Sequence, residues 1–242
     1  MKIEICLDTP LMALEAQKNG ANRIELCSNI SEGGTTPSAG CIAKTRELIH
    51  IDLFVMIRPR AGDFFYNEKE IEEMIYNIEI SKSLGANGVV FGLLEKDGNV
   101  DIKNTKMLTE IASPMKVTFH RAFDRCKLPF KSMESLIDIG VDRILTSGQC
   151  AKAVEGIALI SDLIKQANNR IIIMPGSGVN EKNIKLIATK TNAIEFHFTA
   201  HKFIKPNPIY QHTNFNVSEY RQKVFDHKKL KYCIEALEKY NS

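Results

Sequence analysis

The chain of 242 residues has 44% hydrophobic and 25% charged residues with 14 Gly and 8 Pro, a globular composition that excludes disorder, collagen and extended coiled coil. Thirty-two Lys plus Arg against 29 Asp plus Glu leave a net charge of +3, spread along the chain instead of gathered in an arm, so no nucleic-acid partner is expected. No run of about 18 apolar residues occurs, and Glu4 and Asp8 stand where a signal peptide needs an apolar core; the expectation is a cytoplasmic protein with no membrane partner.

In chain order, a first strand is expected over Ile3 to Leu7 and an amphipathic helix over Leu11 to Lys18. A phrase then recurs, in which a helix ends at Gly, one or two small or polar residues follow, and a short β-branched run begins. NGANRIELC (Asn19 to Cys27), LGANGVVFG (Leu84 to Gly92) and IGVDRILTSG (Ile139 to Gly148) are its three clear copies. Gly20, Gly85 and Gly140 suit the left-handed position that ends a helix. Further strands are expected at Leu53 to Ile57, Lys116 to Phe119, Arg170 to Met174 and Ala193 to Phe198. Helices are expected at Ser38 to His50, Glu68 to Leu84, Lys103 to Ala112, Pro129 to Ile139, Ala151 to Ala167, Glu181 to Lys190 and Ser218 to Lys239. Eight alternating β and α units in about 250 residues describe an α/β protein, a single-domain (β/α)8 TIM barrel over residues 1–242, with no linker or second domain.

Alternate residues of a barrel strand face the helices and the interior. With the apolar residues outward, Glu4, Cys6, Asp8, Arg23, Glu25, Cys27, Met56, Arg58, Thr118, His120, Glu195 and His197 face inward. Ionisable groups are costly in a barrel interior unless paired, and a pair such as Glu25 with Arg58 is one outcome. Their convergence near the C-terminal ends of five strands points to a pocket.

Two kinds of chemistry suit these residues. In an enzyme for a small anionic metabolite, Arg58 and Arg60 clamp a carboxylate or phosphate, and Glu25 or Glu195 is the base. His120 or His197 is then the acid, and Asp124 orients a histidine. Glu25, His120, Glu195 and His197 also have the composition of a two-His, two-carboxylate divalent metal site, which Arg58 nearby would weaken. The loop PGSGVN after the seventh strand offers Gly176, Ser177 and Gly178 to an anion at a helix entry, facing Arg58 across the mouth, and Ser147 in TSGQ completes the anion set. For a soft metal, Cys6 and Cys27 at the ends of neighbouring strands are the best thiol pair. Met56 and Met174 are candidate thioethers. The six cysteines are too scattered for a CxxC pair and are expected to be reduced.

RIELCSNISEGGTTPS, VMIRPRAGDFFY, TFHRAFD, RILTSGQ, IIIMPGSGVN and EFHFTA, in this order from Lys2 to about Ala200, resemble the signature segments of the CutC copper homeostasis family. The resemblance implies a (β/α)8 barrel, a cytoplasmic homo-oligomer, and copper as the ligand. Beyond Ala200 the stretch KFIKPNPIYQHTNFNVSEY departs from the family's usual Arg-rich segment.

Overall fold

The computed structural model describes residues 1–205, 214, 216 and 220–241. Strand and helix alternate as β1 (Lys2–Leu7), α1 (Pro10–Lys18), β2 (Arg23–Leu26), α2 (Ala39–Leu48), β3 (Asp52–Met56), α3 (Glu68–Ser83), β4 (Gly88–Phe91), α4 (Ile102–Ala112) and β5 (Lys116–Phe119). They continue as α5 (Pro129–Asp138), β6 (Arg143–Thr146), α6 (Ile157–Ala167), β7 (Ile172–Pro175), α7 (Ile184–Thr191) and β8 (Glu195–Phe198). A hairpin, β9 (His201–Ile204) and β10 (Gln222–Phe225), precedes α8 (His227–Asn241). Parallel ladders join eight strands in the order β7-β6-β5-β4-β3-β2-β1-β8. Because β7 also lies against β8, the ring is almost closed, and the fold is a (β/α)8 barrel.

Local chemistry explains the element ends. Thr9 caps α1 through its hydroxyl and Pro10 opens the helix, while Asn67 and Glu70 form a reciprocal capping box on α3. Gly20, Gly85 and Gly140 take φ of 97°, 82° and 82°, which lets the chain turn from each helix into the next strand. Three helices start later than the sequence pattern implies. Residues 151–156 form turns before α6, because Gly148 and Gly156 pack backbone to backbone. Before α7, Asn183 Oδ1 accepts from the Asn180 amide and holds a turn. The expected helix from Ser218 is replaced by β10 and the later α8; Ser218 itself lies outside the described residues. The β9/β10 hairpin, absent from the pattern, is tied down by Lys223 Nζ to Asp8 Oδ2 at 2.6 Å.

Packing separates into two shells. Ile3, Ile5, Leu7, Ile24, Leu26, Val55, Ile57, Val117, Phe119 and Phe196 join the helices in the main core, as the strand alternation implies. Cys6, Cys27, Phe54, Met56 and Val90 form a separate cluster inside the barrel. Among the described residues no helix is long and apolar enough to cross a membrane.

Candidate functional site: a charged barrel interior opening into a cavity

The barrel floor is ionic. Arg23, Arg143 and Glu195 are the first residues of β2, β6 and β8, so they share the lowest layer. Glu195 Oε2 accepts from Arg23 Nη2 and from Arg143 Nε, each at 2.6 Å, and Oε1 accepts from Arg143 Nη2 at 3.2 Å. Arg23 Nε also donates to Glu4. Both guanidiniums lie over the Phe54 ring, 4.8 and 5.4 Å from its centroid. That ring fills space that Gly88 leaves, since a Cβ there would stand 2.5 Å from it. Glu195 is therefore a bridging counter-charge below the cavity and does not line it.

From the floor the chain of charges climbs. His197 Nδ1–H donates to Glu4 Oε1 at 2.7 Å, and His197 Nε2 faces Glu25 Oε1 at 4.0 Å. Burial works to raise the Glu4 carboxyl, but Arg23 and His197 reverse this and hold it at about 2. Burial also opposes charge on His197, yet Glu25 and Glu4 raise it above the ordinary imidazole value. Glu25 is pushed up by burial, which His197 only partly offsets, and among the described residues its buried Oε2 has no hydrogen-bond partner.

Above this, a cavity of about 860 Å³ opens at the C-terminal ends of the strands. Cys6, Glu25, Met56, Arg58, His120, Asp124, Ser177, Gly178 and His197 line it, with Phe64, Arg121 and Arg125. Arg58, 3% exposed, makes no bond to Glu25. Its Nη1 donates to the carbonyls of Glu32 and Gly34 and its Nη2 to that of Gly62, so it clamps the loops after β2 and β3. His120 accepts the Ala122 amide on Nδ1 at 3.2 Å, which leaves Nε2 as the protonated, donating nitrogen. Burial and the nearby Arg58 hold His120 down to about 3, so the ring is neutral. Its place beside β4 requires Gly92, where a Cβ would lie 2.5 Å from Nδ1.

Other expected groups are engaged elsewhere. Asp124 touches neither histidine; it accepts from Thr146 Oγ1, the Ser147 and Gln149 amides and Arg121. Ser147 Oγ is held by Asp124 and the Cys150 carbonyl. Arg60 pairs with Glu70 at 2.5 Å and Asp63 at 3.0 Å, outside the cavity. The Gly176 amide donates to the Thr146 carbonyl at 2.9 Å and is not free for an anion, and α7 begins only at Ile184, so the helix entry does not reach this loop, whose Ser177 and Gly178 line the cavity. His120 and Glu195 do not join Glu25 and His197 within ligand reach; among the described residues Glu4, Glu25 and His197 do, as do Cys6, Glu25 and Cys27.

The thiols come together. Cys6 Sγ and Cys27 Sγ are 3.6 Å apart, with Cys6 on the cavity wall and Cys27 enclosed behind it. Hydrogen bonding to Cys27 and burial push the Cys6 thiol up. Gly34, at φ 88°, lies over them: a Cβ there would be 3.3 Å from Met56 Cε and 3.5 Å from Cys27 Sγ. Met174 instead turns its sulfur to Arg23 Nη2 at 3.3 Å.

Arg143, Phe64, Arg121 and Arg125 were not anticipated as part of the interior. The signal for Arg143 lay in the repeated phrase, where Arg23 and Arg143 each follow the turn glycine by three residues.

A solved phosphoribosylanthranilate isomerase from Thermotoga maritima superposes with a TM-score of 0.60 at 13% identity over 99% of both chains, a likeness of fold alone. The crystal structure of a CutC protein from Streptococcus agalactiae superposes at 0.78 with 33% identity, over 81% of this chain and 97% of that one. A Parabacteroides distasonis family protein CutC is 48% identical over 239 residues, 96% of this chain and 98% of its own. The human copper homeostasis protein cutC homolog is 43% identical over 236 residues, 95% of this chain and 86% of its own. The model of the CutC family matches residues 1–202, which hold all eight barrel strands and α1 to α7, and with these relatives it shows that the chain belongs to the CutC family.

Proposed function

We propose that this protein binds copper(I) through Cys6 and Cys27 and serves copper homeostasis. The observation that carries the reading is the pair of sulfurs 3.6 Å apart at the ends of β1 and β2, one of them open to the cavity. Cu(I) prefers soft thiolate and thioether ligands, and a thiol pair with the Met56 thioether close by has that character. The buried Glu25 Oε2, which has no hydrogen-bond partner among the described residues, suits a cation beside the pair better than a neutral packing contact. Bound Cu(I) is the cargo, held by sulfur in a site that the Gly34 loop covers. The names of the relatives support the homeostatic role.

Each thiol must lose its proton to bind, so affinity rises with pH. Titration of the metal-free, reduced protein against a tight Cu(I) chelator should show one copper per chain. The Cys6→Ala, Cys27→Ala double variant should fall to background. Copper retained by that variant, or none held by the wild type, would remove the reading.

A further inference from the structure

The copper reading leaves most of the cavity unused, because one ion on the sulfur pair needs little of about 860 Å³. That volume is typical of a site for a small organic molecule. The wall formed by the loops after β3 and β5 is chemically distinct from the sulfur pair. Arg58 is 3% exposed, and among the described residues three carbonyl oxygens and no carboxylate hold its guanidinium. Among the described residues its Nε has no hydrogen-bond partner, and neither does Nε2 of His120, which is 4% exposed.

Phe64 gathers these groups. Its ring lies 4.8 Å from the His120 ring, 5.0 Å from the Arg58 guanidinium and 5.1 Å from that of Arg125. A third cation, Arg121, is already neutralised by Asp124 at 2.8 Å. Among the described residues the wall thus holds two guanidiniums with no carboxylate paired to either, and a neutral imidazole that donates from Nε2. A buried cation without a counter-charge is costly, and an anion beside it relieves that cost.

We infer that the cavity binds a small carboxylate- or phosphate-bearing metabolite, its anionic group against Arg58, His120 and Arg125. This inference is independent of the copper reading and uses the opposite chemistry, hard oxygen on guanidinium instead of soft metal on sulfur. It differs from the usual barrel phosphate site after strands seven and eight, where the Gly176 amide is already bonded.

Because Arg58 clamps two loops, its removal can unfold them, and the exposed Arg125 is the better probe. Calorimetric titration with inorganic phosphate and with malonate, at ionic strength held constant with sodium chloride, should give saturable binding of at least one anion. Arg125→Ala should weaken it by about tenfold, the loss of one charge-assisted contact. Lys103→Ala, on the outer face of α4, should leave it unchanged. In histidine-labelled protein, saturation with the anion should shift the His120 Nε2 resonance. Phosphate or malonate binding alone would assign the headgroup. No saturable binding of either anion, or equal affinity in Arg125→Ala and the wild type, would overturn the inference.

Discussion

At Glu195 one carboxylate answers two buried guanidiniums, and this arrangement decides what the residue is for. Both of its oxygens are engaged by Arg143, and Arg23 shares Oε2. Burial works against the charge, yet Arg143 and Arg23 keep its carboxyl below the ordinary value. Glu195→Gln would leave Arg143 facing a neutral amide in the barrel floor and Arg23 with Glu4 alone, so a loss of about 3 kcal/mol in urea unfolding is expected. A loss below about 1 kcal/mol would mean that the Arg143 guanidinium does not depend on Glu195 for its counter-charge. Strand alternation made the inward face legible, because apolar residues at every second position must meet the helices. It did not show depth, so Glu195 and Glu25 read as equivalent bases. The difference lies in where each strand begins: Glu195 opens β8 at the floor, whereas Glu25 lies one layer higher beside Cys6. Depth was present in the repeated phrase, which sets Arg23, Gly88 and Arg143 three residues after Gly20, Gly85 and Gly140.

At the scale of elements, periodicity finds a helix but does not find its first turn when backbone contacts claim it. The amphipathic pattern begins near Ala151, but α6 begins at Ile157. A Cβ on Gly156 would lie 2.1 Å from the Ser147 carbonyl oxygen, and one on Gly148 would lie 2.3 Å from the Gly156 carbonyl oxygen. Only two glycines can approach so closely, and the contact holds the loop after β6 beside the cavity. Gly156→Ala must move backbone, so it should destabilise the fold by about 2 kcal/mol or more. Gly40, in α2, has no atom within 4 Å of its would-be Cβ and no positive φ. Gly40→Ala should therefore be neutral or stabilise by up to about 1 kcal/mol. Thermal melts of the two variants should shift in opposite directions, or Gly40→Ala should not shift at all; a matched loss in both would show that the close approach is unimportant. The hairpin β9/β10 escaped the sequence pattern for another reason. Its strands have four residues each and pair outside the barrel with mostly exposed or half-buried side chains, so no alternation marks them.

For the whole molecule, the buried ionisable groups set how stability depends on pH, and their signs can be worked out separately. Glu4, held at about 2 by Arg23 and His197 against burial, and Glu195, also lowered, stabilise the fold above the unfolded carboxyl value near 4.5. That stability is lost as pH falls through their folded values. His120 is buried neutral at about 3, so the unfolded chain takes up a proton at 6.5 that the folded one refuses. Its contribution is present above 6.5 and drains away down to about 3. His197 behaves in the opposite sense. Its value is raised above 6.5 by Glu25 and Glu4, so its contribution is full below 6.5 and is lost as pH rises through the folded value. Glu25, raised by burial, likewise favours the fold below 4.5 and loses that contribution as pH rises. Between 4.5 and 6.5 the gain with pH from His120 is opposed by the loss from Glu25, so stability climbs less steeply there than below 4.5. Below 4.5, Glu4, Glu195 and His120 act together, and each unbalanced proton changes stability by about 1.4 kcal/mol per pH unit. The melting temperature should therefore fall steeply below about pH 4.5, change little on approach to 6.5 and decline above it as His197 loses its proton. His120→Asn should flatten the acid limb without altering the alkaline one, whereas His197→Asn should remove the alkaline decline. Melting curves from pH 3 to 9 in the three proteins decide this, and an acid limb unchanged by His120→Asn would mean that His120 takes up a proton in the folded barrel as readily as in the unfolded chain.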